Sequence, residues 1–375
     1  MVTDDYRHMA RAIQLARRGL YTTDPNPRVG CVLARDGQVV GEGFHRRAGE
    51  PHAERNALAQ AGDLARGATA YVSLEPCCHY GRTPPCTDGL TEAGVSRVVA
   101  AMLDPSPQVA GRGMTRLRQA GIAVEHGLLE AQARELNPGF IKRMEQGLPY
   151  VRCKLAMSLD GRTAMASGES KWITSDAARL DVQRLRARSS AIVTGLGTVL
   201  SDDPSMNVRI EPAALSQTAE EIGIRQPVRV VLDPGLEMSS AARMLKLPGQ
   251  TLVLCTDAGA RRADSLESAG ARLAILPEQD GHVDLEAAWR YLAREEINEV
   301  LLETGATLAG AALALGLIDE LIVYLAPHIM GHGARGLFYL PGLECMQHRI
   351  ELEITDVRAV GCDWRISARP RAKST

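Results

Sequence analysis

The sequence predicts an α/β protein of two domains, and three observations carry that prediction. Apolar stretches with strand character alternate with alanine- and leucine-rich stretches of helical period along most of the chain. The alternation pauses over Asn137–Pro149, where Gly147 and Pro149 punctuate, and a fresh apolar strand starts at Tyr150. The length, 375 residues, suits two or three domains of ordinary size. We place the boundary near 147, giving a first domain over 1–147 and a second over 148–375.

In the first domain, Asp5–Arg18 has helical period, with Met9, Ile13 and Ala16 on one face and Gly19 as the stop. Arg28–Ala34 and Gln38–Gly43 read as two strands joined by a tight Asp36-Gly37 turn. His52–Ala61 reads as a helix, Ala68–Leu74 as a strand, and Thr87–Ala93 as a helix closed by Gly94. Arg97–Met102 is a strand, Gly113–Gln119 a helix closed by Gly121, and Ile122–Glu125 a strand, which makes a sheet between helices. The second domain carries strands at Tyr150–Ala156, Ala191–Thr194, Val228–Leu232, Thr251–Cys255, Arg272–Ile275, Glu299–Leu302 and Glu320–Ala326. The near-apolar run Leu308–Ile318 is too short to cross a bilayer and reads as a buried helix. Glu211–Glu221 reads as a surface insertion, and Arg369–Thr375 as a frayed tail.

Composition excludes several functions. Hydrophobic residues make up 45% and charged residues 23%, which is globular composition. A net charge of -2 and 4% aromatic residues provide neither a basic field nor a stacking platform for long nucleic acids. The charged N-terminus has no signal-peptide core. Of eight cysteines, Cys77, Cys78 and Cys86 crowd into one loop, a pattern of a reduced, cytoplasmic compartment and a metal site rather than of disulfides.

The sharpest signal is His52-Ala53-Glu54 followed by Pro76-Cys77-Cys78-His79 and Cys86. Histidine, x, glutamate, then proline-cysteine and a second cysteine is the pattern of zinc-dependent deaminases. One imidazole and two thiolates leave a fourth zinc position for water, whose pKa the metal lowers. A carboxylate must then carry protons to the departing ammonia, and Glu54 is the candidate. His52 is best placed in the helix's first turn, with the longer Glu54 side chain reaching around. The second cysteine is the open choice. Cys78 adjoins Cys77, and neighbouring side chains diverge in extended chain. Cys86 lies after eight intervening residues and opens a helix, where N–H groups favour a thiolate, so Cys86 is preferred. The alternative is a closed structural zinc, with His79 or Cys78 as a fourth ligand, or no metal at all.

The segments Pro25–Gly30, Gly41–His45, Gly49–Glu54 and Glu75–Cys86 together resemble the bifunctional pyrimidine deaminase/reductases of riboflavin biosynthesis, whose members carry this long Pro-Cys to Pro-Pro-Cys loop. The resemblance implies a cytidine-deaminase-like three-layer α/β/α domain with zinc on His52, Cys77 and Cys86, Glu54 as proton shuttle, and Asn26, His45 and His79 lining a pyrimidine pocket. Relatives often carry serine where this chain has Cys78. Taken alone, Asn26 between two prolines serves a turn and His45 reads as an ordinary surface histidine after a strand, while Arg82, in the overhanging loop, meets a substrate phosphate or faces solvent.

In the second domain, Thr194-Gly-Leu-Gly-Thr198 follows a strand but departs from the dinucleotide fingerprint. Glu303-Thr-Gly305 leads from a strand into a helix, a ready anion site or an ordinary tight connection. The resemblance continues over Lys154–Ala164, Ser167–Thr174, Leu185–Ala187, Asp202–Pro204 and Glu303–Gly305, and spans residues 4 to 368. It implies a dihydrofolate-reductase-like α/β domain. NADPH would lie against Ala156, Trp172, Thr198, Asp202 and the turn Gly305, Ala306, Thr307, Leu308, Ala309, Gly310 and Ala311. Substrate would meet Ser170, Arg186, Met206, Arg209 and Glu303. A guanidinium fork suits phosphate, which fits Arg186 and Arg209, though each also serves as a solvated charge, and Trp172 as plain core. Asp202 is the expected proton-handling or orienting group, ahead of Lys154.

The expected activity is hydrolytic deamination of a small pyrimidine ribosyl phosphate, then NADPH-dependent reduction of its ribosyl group to ribityl. No nucleic acid or membrane partner is expected, a homo-oligomer is left open, and spacing does not separate NADPH from NADH. Against this stand a tRNA-editing deaminase with an accessory domain, disfavoured by charge, few aromatics and the long loop, and a structural zinc module.

Overall fold

The computed structural model describes residues 2–80, 84–107 and 109–371. Contacts divide the chain into two compact units, one of Met1–Gly147 with Glu211–Arg225 and one of Leu148–Ile210 with Gln226–Thr375.

The first unit runs α1 (Val2–Ala16), β1 (Gly30–Arg35), β2 (Gln38–Phe44), α2 (Ala53–Ala61), β3 (Thr69–Val72), α3 (Cys86–Glu92), β4 (Arg97–Ala100), α4 (Arg112–Gln119), β5 (Ala123–His126), α5 (Glu130–Leu136) and α6 (Pro138–Gln146). Its five strands order β2-β1-β3-β4-β5. β1 is antiparallel to β2 and β3, and β3, β4 and β5 are parallel. Asp36 and Gly37 both take positive φ, 51° and 77°, as a two-residue hairpin turn requires. One apolar layer packs α1 with α5 and α6 on a face of the sheet that includes Val32 and Tyr71; a second packs α2, α3 and α4 on the face that includes Leu33 and Val98.

The expected pause at Asn137–Pro149 is corrected: helix α6 fills most of it. Pro138 stands at its first position, where the missing N–H is no loss. Asn137 is buried and exchanges two hydrogen bonds with the Arg28 backbone, 2.8 and 2.9 Å.

The second unit runs β6 (Tyr150–Ser158), β7 (Arg162–Ala164), α7 (Asp176–Arg188), β8 (Ala191–Gly195), α8 (Leu196–Asp202), α9 (Gln217–Ile222, spatially in the first unit), β9 (Val228–Leu232), β10 (Thr251–Cys255), α10 (Ala263–Ser268), β11 (Ala271–Ile275), β12 (Glu278–Gln279), β13 (His282–Val283), α11 (Leu285–Arg294), β14 (Glu299–Glu303), α12 (Ala306–Ala314), β15 (Glu320–Ala326), β16 (Arg335–Gly336), β17 (Leu352–Val360) and β18 (Asp363–Pro370). Nine strands form one sheet ordered β11-β10-β9-β8-β14-β6-β15-β18-β17. All neighbours are parallel except the last two pairings.

Two further expectations are corrected. Arg369 and Pro370 are not a frayed tail but the end of β18, paired with Glu353 and Leu352 of β17. The 211–221 stretch is not a mere surface excursion: Ser216 caps α9, and Thr218 and Ala219 are buried. Among the described residues, no helix is long and apolar enough to cross a membrane.

Candidate active sites

Three segments of the first unit meet at one point. His52 caps α2 in extended conformation, one step before the first helical turn in which it was expected. Glu54 follows in that first turn and is 3% exposed. Cys77 ends the segment beyond β3, and Cys86 begins α3. The thiols of Cys77 and Cys86 stand 3.5 and 3.4 Å from Nδ1 of His52. Around a tetrahedral zinc, bonds of about 2.3 Å to sulfur and about 2.05 Å to nitrogen separate those ligands by about 3.6 Å. The donor set therefore already has the spacing of one shared ion. Among the described residues, these three are the one group of metal-ligating side chains that closes in this way. His79 is exposed and outside it, and Cys78 faces a hollow lined by Arg112 and Arg116. With neither as fourth ligand, the set has the open position of a catalytic site.

The electrostatics suit a dication. The hydrogen bond to Cys86 comes first, with His52 and the Cys86 amide, in lowering Cys77 to about 4. The same shared proton, with burial, pushes Cys86 up. Burial, then the Cys77 charge, raises Glu54. The Cys86 amide donates to Cys77 Sγ at 3.3 Å, so the start of α3 supports its partner's sulfur rather than its own.

Glu75 escaped the sequence reading. It is buried and accepts the amides of Asp104, Gly111, Gly113 and Met114 at 2.9–3.2 Å. It thereby ties the segment that leads from β3 to Cys77 to the start of α4. Its signal, an acidic residue between an apolar strand and Pro76, carries no local pattern. Asp104, close by, is raised to about 6, by burial and then by Glu75 and Cys77.

Asn26 and His45 come together beside the cluster. Asn26 Nδ2 lies 3.1 Å from His45 Nε2, and His45 Nδ1 lies 3.2 Å from the Pro51 carbonyl. The His45 ring meets His52 edge-on at 5.2 Å. Burial drops His45 to about 4, so its ring is neutral at working pH and accepts from Asn26 while donating to Pro51. Arg82 lies outside the described residues.

In the second unit Glu303 and the turns into α8 and α12 lie at the carboxyl ends of the parallel strands β8 and β14, where ligands enter open α/β sheets. Gly195, ending β8, has Leu308 of α12 3.3 Å from where its Cβ would be, so the two glycine-bearing turns lie side by side. Space beside Gly305 is open, whereas a Cβ on Gly310 would fall 2.0 Å from the Tyr339 carbonyl. Gly310 is thus a packing glycine, while Gly305, capping the start of α12, has open space beside it. Gly310→Ala is expected to cost about 1–3 kcal/mol in urea unfolding through overpacking, while Gly305→Ala folds normally but weakens NADPH binding. Equal stability of the two variants would contradict this division.

Arg186 and Glu303 form a bidentate pair, 2.7 and 2.7 Å, with Lys154 beside Glu303 in strand register. Burial works to raise Glu303, but Arg186, then Lys154 and Arg209, outweigh it and hold the carboxylate low. The Arg186 fork is therefore turned to Glu303. Arg209 is exposed, and its guanidinium donates to the neutral side chain of Asn207 at 2.6 Å. Removing Arg186 with alanine strands a buried charge, so a loss of about 3–5 kcal/mol is expected in unfolding of the full chain. A loss below about 1 kcal/mol would show that water screens the pair.

Trp172 is 72% exposed, which removes the plain-core reading; Arg179 stacks on its ring at 4.5 Å. Next to it, Lys171 pairs with Asp202 at 3.2 Å. Ser170, Thr198 and Ala156 are all half-buried. Met206 is buried and packs into the core with Ile192 and Val231.

Known proteins match both halves. Residues 2–102 match the model for the cytidine and deoxycytidylate deaminase zinc-binding region, and 149–366 the model for the RibD C-terminal domain. The riboflavin biosynthesis protein RibD of Escherichia coli is 52% identical, over 96% of this chain and 97% of its own. That of Haemophilus influenzae is 47% identical, over 98% of each. A solved Acinetobacter baumannii RibD superposes with TM-score 0.91 at 46% identity, covering 99% of this chain and 100% of that one. A Thermotoga maritima diaminohydroxyphosphoribosylaminopyrimidine deaminase/5-amino-6-(5-phosphoribosylamino)uracil reductase follows at 0.84 and 32%, covering 98% and 99%. The deaminase half is of the zinc-binding type and the reductase half of the NADPH-using type. The chain belongs to the RibD family, the bifunctional deaminase and reductase enzymes of riboflavin biosynthesis.

Proposed function

We propose that the first unit removes an exocyclic amine from a diaminopyrimidinone ribosyl phosphate and that the second reduces the ribosyl group of the product to ribityl. The three-donor cluster with an open fourth position is the observation that carries the first half. Zinc bound to His52, Cys77 and Cys86 supplies a Lewis acid that makes water nucleophilic at neutral pH. Glu54 takes a proton from the attacking water and returns it to the amine, which leaves as ammonia. A buried carboxylate with a raised pKa suits both directions of that transfer. Neutral His45 fixes the Asn26 amide, leaving its oxygen and one N–H for the pyrimidine edge. His79, exposed on the loop, meets substrate from solvent.

In the second unit, Gly305 and the amides of Ala306 to Leu308 receive the cofactor's phosphates, and Trp172 with Thr198 flanks its ring. Arg209 takes the substrate phosphate, while Arg186 holds Glu303 toward the ribose hydroxyls. Asp202, paired with Lys171, orients the loop that carries Ser170 and Trp172. NADPH brings the hydride, so these residues need mainly to position. A free nucleotide and a cytoplasmic setting fit the near-neutral charge and reduced thiols.

The test uses the zinc-loaded full chain. Ammonia release from the diaminopyrimidinone nucleotide, and NADPH oxidation by its deaminated product, are both expected. Ammonia release from an oligonucleotide alone would overturn the substrate class.

A further inference from the structure

The segment Glu211–Arg225 follows β8 and α8 in sequence, yet its contacts place it in the first unit. Two ion pairs tie it there, and both fall on the two walls of the Asn26/His45 pair. Glu221 meets Arg46 at 2.6 Å, one residue beyond His45. Arg225 meets Asp24 at 2.8 Å, two residues before Asn26. Helix α9 holds the first of these charges. Ser216 caps α9 through the Ala219 amide at 3.0 Å, and Gln217 donates to Glu221 at 3.0 Å, so Glu221 is braced from its own helix. The buried Thr218 and Ala219 pin that helix.

The His45 amide donates to the Val29 carbonyl at 2.9 Å, which joins the two segments behind the Asn26/His45 pair. Asn26 and His45 come from different loops and touch through one hydrogen bond of 3.1 Å. Asp24 leads into the Asn26 loop and Arg46 follows His45 beyond the end of β2, and the segment pairs with both.

We propose that Glu211–Arg225, although encoded within the reductase sequence, is a positioning element of the deaminase site: Glu221 and Arg225 set the distance between Asn26 and His45. Neither residue touches the reacting atoms. The inference rests on the deaminase reading above, and wild-type ammonia release in the same assay separates failure of one from failure of the other.

The test uses the full-length, zinc-loaded chain and the diaminopyrimidinone nucleotide. In the double variant Glu221→Ala/Arg225→Ala, KM for deamination is expected to rise about tenfold with kcat within about twofold, because binding geometry is lost and the proton shuttle is not. Zinc content and NADPH oxidation on the deaminated product are expected to stay at wild-type level. Arg46→Glu and Glu221→Arg are each expected to raise KM, and combining them to restore most of it, as a pure packing role would not. If the double variant does not fold, the charge swap decides. An unchanged KM in the double variant, or a swap that restores nothing, overturns the proposal.

Discussion

Glu54→Gln is expected to lower kcat for ammonia release by about 10³–10⁴-fold while leaving zinc content unchanged. The amide keeps the size of the side chain and the packing of a residue only 3% exposed. It removes the one group that moves a proton between water and the departing amine. His52, Cys77 and Cys86 are untouched, so the metal stays. NADPH oxidation on the already deaminated nucleotide is expected to be unaffected, because the second unit has its own core and strand-end site. Ammonia kinetics and metal analysis on one preparation check both halves. Activity within about tenfold of wild type would mean that another group shuttles the proton.

Cys86→Ser is expected to cost the metal itself. A ligand supplies more than an outer partner, whose loss already weakens metal sites about 10–100-fold, so zinc affinity should fall by at least about 100-fold. Deamination should disappear with it. Cys78→Ser is expected to keep zinc and activity, since Cys78 lies outside the donor cluster and its thiol is raised by burial, then by Glu75. Zinc lost from Cys78→Ser and kept by Cys86→Ser would exchange the assignment. Chelation should reproduce the Cys86 loss reversibly, with ammonia release returning on adding zinc.

The difference between Cys78 and Cys86 shows what a sequence carries. Adjacent residues of an extended chain diverge, and the fold obeys that rule, turning Cys78 toward Arg112 and Arg116. Strands were legible wherever apolar runs sit between turn residues: Val228–Leu232, Thr251–Cys255 and Glu320–Ala326 have the expected bounds. Helices α5 and α6 were hidden because Pro138 and Gly139 look like breakers, although proline at a first helical position is favourable. The final hairpin, β17 with β18, was hidden because β17 is exposed along nearly its whole length and its polar residues mask the strand period.

Long-range partners were the least legible part of the sites. Arg186 and Glu303 lie 117 residues apart, and each looks like an independent substrate contact until the sheet joins them. Glu75 with its four amides, and Glu221 beside Arg46, are likewise products of folding rather than of local pattern. The metal cluster was legible because deaminase chemistry demands particular residue types at restricted spacing. The reductase site was not, because hydride transfer is the cofactor's chemistry and asks the chain mainly for shape.

The central claim is that one chain first deaminates and then reduces the same pyrimidine nucleotide. Product mass, followed as reagents are added to the zinc-loaded full chain, tests it most directly. Without NADPH, the diaminopyrimidinone nucleotide should exchange one amino group for oxygen as ammonia appears. Adding NADPH should then raise the product mass by two hydrogens, a hydride on the ribosyl carbon and a proton on the oxygen released as the ring opens, matched by NADP⁺. NADPH consumed with the amino group still in place, or no ammonia from the zinc-loaded chain, would contradict the account.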